Sequence, residues 1–175
     1  MRLLRFDRME KLDFPRLAEI YREGFLATIS YFFPDGTDPE RGLREVEAKF
    51  LEYYRTDFFA VPGRRCYVLE DGGRWVCAIR LFPVPGQPGA WHAEALETAP
   101  DCRRRGYARS LFTLLFEDLA SEGPFTLTDT VNQTNVASLA LHEACGFERV
   151  QDPAVCALNG KTLPGKYGMR YRRSE

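Results

Sequence analysis

The sequence lacks a long apolar run. No stretch approaches the ~18 apolar residues that crossing a bilayer requires, so a membrane-spanning protein is excluded as an expectation. The opening Met1-Arg2-Leu3-Leu4-Arg5-Phe6-Asp7 carries no apolar core of signal-peptide length. The chain also lacks an excess of either charge: 24 Lys and Arg stand against 25 Asp and Glu, a formal net charge of -1. Gripping nucleic acid by its phosphates needs a basic surface, so bulk nucleic-acid binding is excluded as well. There is no C-x-x-C pair. Cys66, Cys77, Cys102, Cys145 and Cys156 are odd in number and widely spaced, which argues against a disulfide framework and against zinc or any other metal site. Five free thiols fit a reducing cytoplasm. No repeat, linker or low-complexity tract interrupts the chain. Its 175 residues, 45% hydrophobic and 28% charged, suit one folded domain over 1–175 with room for a real core.

Taken in order, Leu3–Phe6 reads as a first strand. Asp13-Phe14-Pro15 reads as a helix start, cap then proline, with Leu17, Ile20, Tyr21 and Phe25 on one face. Tyr31-Phe32-Phe33-Pro34-Asp35-Gly36-Thr37 has turn chemistry and breaks that pattern. Asp38-Pro39 opens a second helix, striped by Leu43, Val46, Phe50 and Tyr54 and over by Val61-Pro62-Gly63. Cys66–Leu69 and Trp75–Phe82 read as strands joined at Asp71-Gly72-Gly73. A Pro/Gly-rich loop then leads to Trp91–Thr98, a further strand. Phe125–Val131 is rich in β-formers. Asn132-Gln133-Thr134 caps a helix that runs to about Cys145, where Gly146 stops it. Phe147–Gln151 and Tyr167–Arg172 are the last strands, with a turn at Asn159-Gly160 between them. Strands therefore flank a β-α-β-α unit, which makes a mixed α/β sheet rather than a doubly wound one.

The chain is organised around Glu94–Leu119. A strand ends at Ala99-Pro100, the turn Asp101–Ala108 follows, and an amphipathic helix begins. Ala108, Leu111, Phe112, Leu115 and Leu119 recur at helical spacing, while Arg109, Thr113 and Glu117 share the polar face. A strand turning into a helix exposes unpaired N–H groups at the positive end of the helix dipole, an anion site. Gly106 and Ala108 keep bulk out of the turn, and Arg103, Arg104 and Arg105 add charge. The bland alternative for the same residues is a basic helix start with a solvated charge run.

Arg103-Arg104-Arg105-Gly106-Tyr107-Ala108 resembles the R/Q-x-x-G-x-G/A motif of the GCN5-related N-acetyltransferase superfamily, with Ala108 at the last glycine position. Asn135-Val136-Ala137-Ser138-Leu139-Ala140-Leu141-His142-Glu143-Ala144-Cys145-Gly146-Phe147 resembles that family's N-x-x-A-x-x-L-Y-x-x-x-G-F segment. The resemblance covers essentially the whole chain. It implies an α/β (α+β) fold: a mixed, mostly antiparallel central sheet of about seven strands flanked by about four helices. Its fourth and fifth strands, here Trp91–Thr98 and Phe125–Val131, splay apart around the cofactor's pantetheine arm. The implied cofactor is acetyl-CoA (coenzyme A), with its pyrophosphate held by Arg103, Arg104, Arg105, Gly106, Tyr107 and Ala108 and by Arg109 beside them. Asn135 and Ser138 are implied contacts of the cofactor arm, and Glu97, Thr98 and Ala99 lie beside the thioester. The implied partner is a small-molecule or peptide amine acceptor. A homodimer is left open, since many relatives form one.

The chemistry such a transfer needs is a base for the amine, donors for the oxyanion, and a proton for the leaving thiolate. Backbone N–H groups of Glu97–Ala99 are the expected oxyanion donors. His142 stands where the family has a tyrosine acid, and histidine titrates near neutrality. The competing reading is a surface histidine stabilised at a helix C-terminus. Glu94 is the first choice of base, with Asp129 and His92 as further candidates, and Glu94 and Glu97 are expected on opposite strand faces. Tyr31, Phe32 and Phe33 border the acceptor site in the resembled fold, unless they pack in the core, and Tyr167 with Lys161–Lys166 forms the other wall. The leading expectation is an acetyl-CoA-dependent N-acetyltransferase without a covalent enzyme intermediate. Two other readings stay open: an acyl-CoA-binding module of the same shape without catalysis, and a phosphate-binding protein unrelated to coenzyme A.

Overall fold

The computed structural model describes residues 1–33 and 38–174. Its strands are β1 (Arg2–Phe6), β2 (Arg65–Asp71), β3 (Arg74–Pro83), β4 (Ala90–Thr98), β5 (Phe125–Asn132), β6 (Glu148–Gln151), β7 (Ala154–Val155), β8 (Thr162–Leu163) and β9 (Lys166–Arg173). The helices are α1 (Phe14–Phe32), α2 (Pro39–Tyr53), α3 (Tyr107–Ala120) and α4 (Val136–Ala144). Seven strands form one mixed sheet in the order β1-β2-β3-β4-β5-β9-β6, flanked by the four helices, and β7-β8 is a separate hairpin. The β4–β5 pair is parallel, whereas β1–β2, β5–β9 and β6–β9 are antiparallel.

By internal contacts the chain resolves into two compact units, 1–78 with 97–107 and 79–96 with 108–175. In the first unit, Asp13 and Asp38 cap α1 and α2 through their carboxylates, each followed by proline in the first turn. The predicted α1 stripe of Leu17, Ile20, Tyr21 and Phe25 is buried throughout. Helix α1 packs on α2, whose Leu43 and Val46 are buried, and Phe25 packs on Phe50 with ring centroids 4.5 Å apart. In β2, Cys66–Leu69 are all buried, as an interior strand covered on both faces requires.

Two expected boundaries move. Helix α1 runs through Tyr31 and Phe32 rather than breaking there, with Phe33 N–H bonding to Ile29 O at 3.0 Å. The rest of the expected turn, 34–37, lies outside the described residues. Helix α2 closes at Tyr53 and widens into a single π turn over Tyr54–Phe58, because Tyr54 and Phe58 both turn inward to the aromatic core.

The second unit has its own aromatic core. Leu111, Phe112, Leu115, Phe116 and Leu119 of α3 are buried, and Phe116 stacks on Tyr171 of β9 at 4.0 Å. Each such side chain stabilises the fold by about 1.5–3 kcal/mol when fully buried. Asn135, not the expected Asn132–Thr134 run, caps α4, because Asn132 still belongs to β5. Its Oδ1 accepts from Ser138 N at 3.1 Å. Gly146, at φ +88, ends the helix as expected.

Candidate active site

The turn before α3 is fixed by its own flanks. Arg74 holds Asp101 with two bonds of 2.7 and 2.9 Å, and the Tyr107 hydroxyl donates to Asp71 at 2.7 Å. Two residues of the turn take left-handed backbone, Arg104 at φ 62 and Gly106 at φ 79. For Gly106 this conformation is cheap, and a Cβ there would meet nothing within 4 Å, so its backbone is open to a ligand. Arg103 differs from its neighbours: its guanidinium bonds Glu23 and lies 3.7 Å from Glu97. Arg104 and Arg105 are exposed and have no ion pair among the described residues. The first turn of α3 then leaves its N–H groups without intrahelical acceptors. Two free guanidiniums beside open backbone suit a diphosphate.

Strand β4 does not alternate cleanly. Ala95 takes φ 54, so the strict two-residue period breaks between Glu94 and Glu97. Glu97 lies with Arg103, and burial pushes its carboxyl up despite that guanidinium. Ala99 N–H, expected as an oxyanion donor, is engaged by Val76 O at 2.9 Å. Thr98 N–H, also expected as an oxyanion donor, is engaged by the Glu97 carboxylate. Thr98 Oγ1 donates to Cys77 Sγ at 3.3 Å, and burial pushes the Cys77 thiol up to about 12.

In the second unit, β4 and β5 pair at Ala90–Thr126, Trp91–Leu127 and His92–Thr128, and the ladder goes no further. Strand β5 continues alone with β9 as far as Asn132. Where the β4–β5 ladder stops there is a cavity of about 420 Å³, whose lining includes Arg80, His92, Glu94, Asp129, Lys161 and Lys166. Glu94 is 3.8 Å from Arg80.

His92 is buried, and burial pulls its pKa below the usual histidine value. Its tautomer follows from Thr128. That hydroxyl donates its single hydrogen to Trp91 O at 3.1 Å, so it must accept from His92 Nδ1 at 3.0 Å. Nδ1 thus carries the hydrogen, and Nε2 keeps its lone pair.

His142 is only 1% exposed, so it is not a surface residue. Its Nδ1 donates to Ser138 O at 2.7 Å and its Nε2 to Asp129 Oδ2 at 3.0 Å. Phe112 and Phe147 enclose the ring, with centroids 5.3 and 4.8 Å away. Burial alone would pull its pKa down, but the Asp129 hydrogen bond and charge outweigh it and hold the ring above the usual value. Both nitrogens face acceptors, Ser138 O and the Asp129 carboxylate, so the geometry places a hydrogen on each, and any proton His142 gives up passes through Asp129. Asp129 Oδ1 accepts from Thr130 N at 2.6 Å.

The other expected contacts are dispersed. Ser138 has its N–H on Asn135 and its carbonyl on His142. Arg109 reaches Cys145. Tyr31 and Phe32 are 86% and 53% exposed, so core packing is not their role. Tyr167 lies under the Arg149 guanidinium at 4.8 Å rather than in the cavity wall. Thr128 escapes sequence reading because nothing local marks a threonine as a tautomer lock. Asp129 carries a legible signal: it shares the inward register of Phe125, Leu127 and Val131.

The model of the Acetyltransferase (GNAT) family matches residues 16–147. Among solved structures, the PaiA N-acetyltransferase of Thermoplasma acidophilum, in complex with coenzyme A, is similar at 14% identity, with 99% of this chain and 100% of that one covered and a TM-score of 0.65. The ribosomal-protein-alanine N-acetyltransferase of Brucella melitensis is similar at 22% identity, covering 97% and 99%, with a TM-score of 0.60. A Salmonella typhimurium chain solved with its cofactor acetyl-CoA is similar at 20%, covering 100% and 96%, with a TM-score of 0.60. These likenesses are of fold. No curated protein matches the chain.

Proposed function

The chain belongs to the acetyltransferase (GNAT) family, and from that premise we propose that it moves the acetyl group of acetyl-CoA directly onto a primary amine of a small molecule or peptide. The observation that carries this reading is the end of the β4–β5 ladder at His92–Thr128, beside a cavity walled by titratable side chains. The open turn at Arg104–Gly106 supports it, because two unpaired guanidiniums and free N–H groups fit the diphosphate of coenzyme A. We further propose that 1–175 act as one N-acetyltransferase domain, in the cytoplasm that five free thiols suit.

Acetyl-CoA supplies an activated acyl thioester when bound. Glu94 receives the acceptor's ammonium at the cavity. His92 Nε2, held unprotonated by the Thr128 lock, takes the proton the ammonium must lose, directly or through one water. The thioester would supply the acyl carbon for the new carbon–nitrogen bond, its sulfur leaving as the thiol with a proton from solvent. His142 acts at one remove by fixing Asp129.

The test joins calorimetry with thiol release from acetyl-CoA over a panel of amines. Arg105→Glu combined with Gly106→Asp removes a cation, adds two anions and puts a Cβ on left-handed backbone. Coenzyme A affinity is expected to fall on the order of a hundredfold or more, with the melting cooperativity kept. Affinity within tenfold of the unaltered protein overturns the diphosphate assignment. Tight acetyl-CoA binding without transfer to any amine overturns the enzyme reading in favour of a binding module.

A further inference from the structure

The cavity at the end of the β4–β5 ladder has walls of unequal charge. On the strand side, Glu94 is matched by Arg80 at 3.8 Å and Asp129 by the protonated His142 at 3.0 Å. His92 adds no charge as the neutral Nδ1–H tautomer. The same cavity is lined by Lys161, in the loop that enters β8, and Lys166, at the start of β9. Neither lysine has an ion-pair partner among the described residues. Once the matched pairs cancel, two positive charges remain uncompensated, in a space of about 420 Å³ that is the size of a small-molecule site. A second cationic group entering here would be repelled, and an anionic one would be drawn in.

We propose that the acceptor is a small amine that also bears a carboxylate, an amino acid in the chemical sense, with its ammonium toward Glu94 and His92 and its carboxylate toward Lys161 and Lys166. This rests on the acetyltransferase reading above and narrows it. Polyamines and other polycationic amines are disfavoured, since they place a second positive charge against the lysine wall. Long peptides are disfavoured by volume. The specificity lies in the lysines, and the Lys166 charge also acts on His92, helping to keep that ring neutral.

The experiment measures kcat and KM for four matched acceptor sets with acetyl-CoA: free amino acids, the corresponding amino-acid amides, linear polyamines, and short acidic peptides. Free amino acids are expected to have the highest kcat/KM, with the amides at least tenfold lower. Lys161→Ala and Lys166→Ala should each raise KM for the free acid roughly three- to tenfold and barely alter KM for the amide, with kcat nearly unchanged for Lys161→Ala. Lys161→Glu with Lys166→Glu should reverse the preference toward diamines. Amides or polyamines used as well as free acids, acidic peptides used better, or lysine variants with unchanged KM would overturn the proposal while leaving the enzyme reading intact. Failure of every set to accept an acetyl group overturns both.

Discussion

Asp129→Asn isolates the buried pair that backs the cavity. In the native protein, Asp129 takes Thr130 N–H on one oxygen and His142 Nε2–H on the other. Asparagine keeps the shape and the Thr130 bond, but turns an amide donor toward His142. The ring must then become neutral, with its one hydrogen on Nδ1 toward Ser138 O. A hydrogen bond between charged groups contributes about 1.5–3 kcal/mol and a neutral one about 0.5–1.5, so the loss is about 1–2 kcal/mol. Little discount for solvent applies, since the two side chains are 1% and 11% exposed. For a chain of this size the drop in Tm is about 2–8 °C.

The pH dependence is sharper than the magnitude. His142 has its folded pKa raised, so its contribution is complete below the unfolded value of about 6.5 and is lost as pH rises through the folded value. In Asp129→Asn the ring is buried without an anion, its pKa falls, and stability is instead lost as pH drops below about 6.5. Thermal melts from pH 5 to 9 should therefore show the largest gap between the two proteins at the acid end, closing toward the alkaline end. A constant gap across that range would refute the charged-pair assignment.

His92→Gln should lower kcat by about 10²–10⁴ with acetyl-CoA affinity unchanged, and the acid limb of native kcat/KM should lie below about 6.5, since burial lowers this residue. A limb at or above that value would remove His92 as the base. Asn135→Ala should cost about 1 kcal/mol through the lost cap of α4, read as a Tm decrease with only a modest change in acetyl-CoA affinity; a large affinity loss at unchanged Tm would return Asn135 to the cofactor. Cys145 alone of the five thiols is not buried, so a maleimide should label one cysteine in the native protein and five after denaturation. Early labelling of Cys77 would contradict its burial.

Much of the frame was legible because it is written in local chemistry. Asp13-Phe14-Pro15 and Asp38-Pro39 mark helix starts through caps whose partners lie three residues on. The turn before α3 was legible because arginine and glycine in that order have few other uses. Long-range geometry hid the rest. No local pattern announces the left-handed Ala95 that breaks the alternation of β4. Asn132 and Asn135 are equal caps by type, and the length of β5 decides between them. The burial of His142 depends on Phe112 and Phe147, which other elements bring to it.

Neighbouring residues of β5, Thr128 and Asp129, hold the chain's only two histidines in opposite states. A proton NMR spectrum of this protein accordingly contains two imidazole Cε1–H signals, one from each histidine. One titrates below the free-histidine midpoint and one above it, so each is assigned by the direction of its displacement alone. The lower signal belongs to the ring at the cavity and the upper to the ring sealed behind it. A ligand entering the cavity should move the first midpoint much more than the second, which makes the unlabelled protein its own spectroscopic probe of occupancy.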